Sequence, residues 1–330
     1  MARKLLPPAI LAMAISATSG CEHETAGPLR QGEGALAALA ADYSDWSAAV
    51  SIEQSSPGAH SSFNTASLDG CPFISRDGKT FYMASNRPDG LGGIDIWVST
   101  RASVDDPWGP PANVGAPVNS SADDFCPTMD RDGHRFFFVS RREIPGWCGG
   151  SDIYVTRLRN EGGFEEPQNL GCEVNSPFDE ASPFPLAESG SGPVLYFSST
   201  RPGLGVGGDL YVSESHGGVY GPARLVPGVN SAFDDGQPNV RRDGLELFFY
   251  STRPGGGAPD LYAATRASTS DPWSTPVNLG PDVNSPAGET RPSLSWDGTT
   301  LYFGSNRAGS EGGSVDIYVA TRERLTIGGD

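Results

Sequence analysis

The chain has 330 residues, 37% of them hydrophobic and 19% charged, enough apolar content for a packed core and too little charge for wholesale disorder. Its 40 acidic and 23 basic side chains give a net charge of -17, which excludes a nucleic-acid reader, because neutralising phosphates needs an excess of Lys and Arg, and excludes docking of the folded surface on anionic lipid. Gly 43 and Pro 28 are the punctuation of many short strands and turns rather than long helices.

The chain opens with Arg3 and Lys4, then a mostly apolar run from Leu5 to Ala17 broken by Pro7-Pro8. That run is too short to span a bilayer and reads as a secretory signal over residues 1–21. Cys21, directly after Ser19-Gly20, resembles the lipidated cysteine of a bacterial lipoprotein, and the resemblance implies a diacylated, outer-membrane anchor followed by Glu22 rather than Asp. Thr18 departs from the aliphatic residue usual there, and the other reading is an ordinary cleaved signal that leaves a soluble periplasmic or secreted protein. Residues 22–45 lack a sustained apolar period and read as a flexible tether.

From there one unit is written five times. Pro72, Pro127, Pro183, Pro238 and Pro292 recur every 54–56 residues. Three positions before each stands an acid (Asp69, Asp124, Glu180, Asp235, Glu289), and five before the acid an asparagine (Asn64, Asn119, Asn175, Asn230, Asn284), where the repeats start. An Asp-Gly turn follows in four copies, then an aromatic strand running to Arg87, Arg142, Arg201, Arg253 or Arg307, then a glycine-rich loop and an Asp-Ile/Leu-aromatic step. Each unit reads as four short strands: an inner strand a through the proline, an Asp-Gly hairpin, an aromatic strand b, strand c on the Asp-Ile/Leu-aromatic step, and a short strand d. The fifth unit stops after strand c, while Trp46 to Ile52 ahead of the first looks like a stray strand d. Residues 46–325 are therefore expected to form an all-β, single five-bladed β-propeller with four antiparallel strands per blade, its ring closed by that N-terminal strand.

The repeat, with its Asp/Glu-x-x-Pro, Asp-Gly, aromatic strand, Ser-x-Arg and Asp-Ile-Tyr, resembles the WD40-like repeat of TolB-type periplasmic propellers over residues 64–322. The resemblance implies the fold and an envelope setting. It carries no function, because propellers host many, and the separate α/β domain of TolB has no room here.

Strand directions put the acids, the arginines and the glycine-rich loops on one face. Asp69, Asp124, Glu180, Asp235 and Glu289 would ring the channel mouth there, with Arg87, Arg142, Arg201, Arg253 and Arg307. Such a mouth could hold a cation or a basic ligand, but within-blade acid–arginine bridging accounts for the same pattern without a ligand. Each Asp of the Asp-Ile/Leu-aromatic steps is expected to hold its glycine loop, and each Asn to fix a turn. The four histidines show no metal-ligand spacing and no nucleophile partner, so no catalytic residue, metal or cofactor is assigned. Among unrepeated features, Trp147 sits in a Gly-rich loop, either as a ligand platform or as a lid on a disulfide. The exported setting permits disulfides, and Cys148–Cys172 and Cys71–Cys126 are the expected pairs. The expected function is a non-catalytic envelope module, a monomeric disc binding a protein, peptide or glycan. The alternatives are a scaffold within an envelope complex and a carbohydrate-active enzyme, hydrolase or lyase, using unrepeated carboxylates such as Asp123 and Glu143 near Trp147.

Overall fold

Strands of about six residues, each ending at a Gly- or Asn-rich turn, can bury their apolar faces only against neighbouring sheets, and in this chain the sheets are arranged radially. The computed structural model describes residues 42–188, 192–254 and 258–325. The expected signal segment, Cys21 and residues 22–41 of the expected tether lie outside the described residues. The inner strands a are Asp69–Ile74, Asp124–Met129, Glu180–Glu188, Asp235–Val240 and Glu289–Leu294. Strands b are Thr80–Ser85, Arg135–Ser140, Gly192–Ser199, Glu246–Ser251 and Thr300–Ser305. Strands c are Asp95–Thr100, Asp152–Arg157, Asp209–His216, Asp260–Thr265 and Asp316–Thr321. Short outer strands complete the sheets: Ala112–Asn113, Gln168–Asn169, Arg224–Leu225 and Val277–Asn278. Blade three has longer strands and an extra pairing of Val219–Tyr220 with the end of its strand c.

The fifth blade takes its outer strand from the other end of the described chain. Val50–Ser51 pairs antiparallel with Asp316–Thr321, Val50 opposite Val319 and Ser51 opposite Tyr318. Strand a of blade five packs against strand a of blade one, so the sheets form a closed five-bladed propeller. The docked segment begins earlier than Trp46: buried Tyr43 bridges Arg324, and the Ser44 amide donates to the Glu323 carbonyl at 2.9 Å.

The core lies between blades. At the closing seam, Phe63 and Phe81 of the first-blade side meet Tyr302 and Ile317 of the last blade and Ile52, which follows its closing strand, with Phe81 and Tyr302 edge to face at 5.1 Å. Tyr82 and Phe136 play the same part between blades one and two at 5.0 Å. Aromatic pairs of this geometry add to their area burial, which is why strand b of every repeat is aromatic.

The five asparagines do more than fix turns. Each side chain reaches strand c of the preceding blade, accepting from the amide and donating to the carbonyl of one apolar residue: Ile96 for Asn119, Ile153 for Asn175, Leu210 for Asn230 and Leu261 for Asn284. Asn64 makes the same pair with Ile317, at 2.9 and 3.2 Å, and so ties the ring shut. The amide group thus substitutes for one residue of a β-ladder.

Candidate functional site

The fivefold acid–arginine mouth is a latch. Asp69, Asp124, Glu180, Asp235 and Glu289 have no exposed side-chain surface, and each is bridged to the arginine of its own blade: Arg87 at 2.5 Å, Arg142 at 2.6 Å, Arg201 at 2.9 Å, Arg253 at 2.6 Å and Arg307 at 3.1 Å. The remaining acceptor capacity closes the preceding turn. Asp124 Oδ2 accepts from the Ser120 amide and hydroxyl at 2.6 and 2.8 Å, and Thr65, Ser176, Ser231 and Ser285 repeat this. The arginines are equally committed, each with Nε on the serine two residues earlier and Nη2 on a carbonyl of the turn. Each also lies over the aromatic ring of strand c, Trp97, Tyr154, Tyr211, Tyr262 or Tyr318, within 5.5 Å of its centroid. Every charged group of the ring is thus engaged within its own blade, the acid–arginine bridging that accounts for the repeated pattern without a ligand. Among the described residues, no group of three or more His, Cys, Asp or Glu side chains is placed to hold a metal ion.

The aspartates of the Asp-Ile/Leu-aromatic steps hold their glycine loops as expected. Asp152 Oδ2 accepts from the Cys148 amide at 2.8 Å and Asp316 Oδ2 from the Glu311 amide at 2.7 Å. The second oxygen of Asp152, Asp209, Asp260 and Asp316 is buried without a hydrogen-bond partner. Burial pushes all four carboxyls up, and Asp316, with Asp69, Glu311 and Glu53 nearby, rises to about 6.

What does not repeat is found at the channel axis. The residue before each inner proline has a left-handed backbone, φ 48 to 58° at Cys71, Cys126, Ser182, Gln237 and Arg291, and the register of strand a shifts there in every blade. This bulge turns a side chain of arbitrary chemistry toward the axis, and the proline that follows covers a strand edge with no further partner. It also brings Cys71 and Cys126 of adjacent blades to a Cα separation of 4.8 Å, where they form a disulfide. The Ser182 hydroxyl donates to Cys126 Sγ at 3.3 Å, and the Arg291 amide donates to Gln237 Oε1 at 2.9 Å. The Arg291 guanidinium lies near Gly70 of blade one, where a Cβ would stand 3.1 Å from its Nη1. Its Nε has no hydrogen-bond partner, and burial pushes its basicity down.

On the loop face, Cys148 and Cys172 form the second disulfide, Cα to Cα 5.6 Å. It staples the glycine loop of blade two to the connection that leads into blade three. Trp147 in this loop is 39% exposed, and its Nε1 donates to the Gly150 carbonyl at 3.3 Å. Beside the loop, Arg141 stands between Asp123 (3.5 Å) and Asp179 (3.8 Å). Asp123 Oδ1 receives the Ile94 amide of blade one, and Asp179 Oδ1 receives the Ser151 amide and hydroxyl, so both also act as inter-blade clamps. Asp123 has its second oxygen on Arg141, while Asp179 Oδ2 carries no hydrogen bond among the described residues. Glu143 is exposed.

On the opposite face the channel widens into a cup of about 90 Å³ that the sequence reading missed. Phe73, Phe184 and Leu294 are among its walls, and Arg76, Arg131, Arg242 and Trp296 stand around it. The signal was available: the residue before each described Asp-Gly turn is Arg76, Arg131, Arg242 or Trp296.

No protein-family model matches this sequence, and no curated protein matches it. Among solved structures, the chain is similar to a thermostable family-43 glycoside hydrolase, with 12% identity over 82% of this chain and 93% of that one and a TM-score of 0.56. It is similar to an endo-arabinase from Bacteroides thetaiotaomicron, with 18% identity over 82% and 99% and a TM-score of 0.54. It is also similar to the catalytic domain of a GH62 alpha-L-arabinofuranosidase from Coprinopsis cinerea, with 14% identity over 86% and 98% and a TM-score of 0.55. At these identities the shared property is the fold. The TolB and WD40 assignment is thus reduced to the five-bladed propeller itself. The expectation of a non-catalytic envelope module is corrected as well. It rested on the lipoprotein-like tether, the single rigid disc and the lack of a recognisable catalytic set, whereas the three structures named are a glycoside hydrolase, an endo-arabinase and an arabinofuranosidase.

Proposed function

We propose that the protein is a carbohydrate-active enzyme, a glycan hydrolase or lyase, exported and working on the loop face of blades two and three. The observation that carries this reading is the five-bladed layout itself, matched over more than four fifths of the chain to structures titled as arabinan- and arabinofuranoside-cleaving enzymes. The loop face supports it with the right chemistry. A sugar ring stacks on an exposed aromatic plane such as Trp147, held in place here by a disulfide. Glu143, in the same loop, and Asp179, on the adjoining connection, are exposed carboxyl groups, and glycoside cleavage is ordinarily the work of two carboxyl groups. Arg141, between Asp123 and Asp179, is placed to hold a hydroxyl or carboxylate of the sugar. Asp123, bound on both oxygens, is a positioning residue for Arg141.

The test is turnover of a polysaccharide panel (arabinan, arabinoxylan, xylan, galactan and a uronate polymer) by wild type, Glu143→Gln, Asp179→Asn and Trp147→Ala. Removing an acid or base is expected to lower kcat by about 10²–10⁴-fold with little change in KM, and removing the platform to raise KM. Unchanged rates in all three variants would refute this site, and a folded protein inert on the whole panel would refute the activity.

A further inference from the structure

We infer that the cup on the turn face is a second binding site, for a small amphipathic organic anion with a compact apolar body and one carboxylate. It stands at the opposite end of the channel from Trp147 and is independent of the loop-face proposal. Its walls are apolar: Phe73, Phe184, Leu186 and Leu294 surround the depth of the channel. Its rim is cationic, on a chain whose net charge is -17.

The charge balance of this rim is local and can be worked residue by residue. Among the described residues, five charged side chains line the cup: Arg76, Arg131, Arg241, Arg242 and Asp130. Arg241 is neutralised by Glu246 and Asp243, both at 2.9 Å, and Asp130 by Arg135 at 2.8 Å. Three guanidinium groups remain, and none of them has an ion pair among the described residues. The acids of three of the four hairpins are occupied elsewhere, and the fourth, Asp132, does not line the cup. Asp77 takes the Ser75 hydroxyl at 2.6 Å, Asp297 takes the Ser295 hydroxyl at 2.6 Å, and Asp243 takes Arg241. Arg76 and Arg242 lie over the Trp296 ring, 5.3 and 5.8 Å from its centroid. Stacked guanidinium groups keep their in-plane N–H donors available, and these donors match a carboxylate in a bidentate fork.

The same features select the ligand. A neutral sugar needs many hydrogen-bond partners, and the polar side chains in the walls, Ser75, Asn239 and Ser295, are already engaged with Asp77, the Leu294 amide and Asp297. An inorganic anion would leave the apolar depth wet. A ring-sized hydrocarbon with a carboxylate satisfies both layers, with its body among Phe73, Phe184 and Leu294 and its head at the arginines. Because blades one, two, four and five contribute Arg76, Arg131, Arg242 and Trp296 from equivalent turn positions, the site exists only in the closed ring.

The experiment is isothermal titration of the folded chain with trans-cinnamate, cinnamyl alcohol and acetate, repeated with Arg76→Gln, Arg131→Gln and Arg242→Gln. All three arginines are exposed, and thermal melts of the variants confirm folding. Cinnamate is expected to bind at one site per chain, with the alcohol and acetate at least about tenfold weaker. Each substitution is expected to weaken cinnamate about tenfold, and affinity to fall with added salt. Equal binding of the alcohol, unchanged affinity in all three variants, or no cinnamate binding would overturn the proposal, and none of these outcomes bears on glycan turnover.

Discussion

Replacing Arg142 by Met separates a latch from a ligand-binding ring. In the folded chain Asp124 has no exposed side-chain surface and Arg142 lies 2.6 Å from it. Methionine keeps much of the stem packing over Phe138 and Tyr154 but removes the charge. Asp124 retains the Ser120 amide and hydroxyl, which solvate one oxygen and leave the charge without a counter-ion. The Pro117 carbonyl and the Ser140 hydroxyl each lose a donor, at 3.0 and 2.8 Å. Breaking one side of a buried pair costs about 3–5 kcal/mol, so the variant is expected to lose that much in urea unfolding with an unchanged m-value. Asp124→Asn in the same background removes the stranded charge and is expected to recover part of the loss. A cost under about 1 kcal/mol for Arg142→Met, or a double variant worse than the sum of the two, would refute the latch.

Four further outcomes follow from the geometry. Ile52 is fully buried at the closing seam while Val50 is 38% exposed, so Ile52→Ala is expected to cost about 2–5 kcal/mol and Val50→Ala well under about 1 kcal/mol in the same urea titration. Burial first, then neighbouring carboxylates, raises Asp316 to about 6 from 3.8. A carboxyl raised on folding contributes stability below its unfolded value and loses it as pH rises through the folded one. Asp316→Asn is therefore expected to exceed wild type by on the order of 2 kcal/mol near neutral pH, with the gap closing as pH falls from about 6 to about 4; a pH-independent difference would contradict this. Removing Cys71–Cys126, which joins positions 55 apart, is expected to cost about 4 kcal/mol, and removing Cys148–Cys172, 24 apart, about 3.5 kcal/mol. Only the second removal is expected to raise KM for a glycan, because only that bridge steadies Trp147.

What could be read in the sequence was whatever the ring repeats. Five acids and five arginines, 18 residues apart in four repeats and 21 in the third, gave the blade count and the bridges, and Trp46 to Ile52 gave the closing strand because a strand d was missing from the other end. Cys71 and Cys126 were legible as partners because they occupy the same position in adjacent units, although only the left-handed bulge explains how inner strands come close enough. The asparagine cross-ties were read as local turns, since a single sequence shows the offset of Asn64 from Asp69 and not its partnership with Ile317. The cup escaped for the same reason. Arg76, Arg131, Arg242 and Trp296 are separated by whole blades, and ring closure alone makes them neighbours. Function was least legible, because a repeated frame marks the scaffold, whereas chemistry on a propeller resides in residues that break the repeat.

The most direct measurement for the central claim is a time course of product release, by mass spectrometry, from a mixed plant and bacterial glycan library incubated with the full folded chain. Glycan cleavage that scales with protein and is abolished together by Glu143→Gln and Asp179→Asn, with melting temperature unchanged, is the predicted result. A library left intact by a protein whose disulfides and ring are shown to be formed would contradict the account.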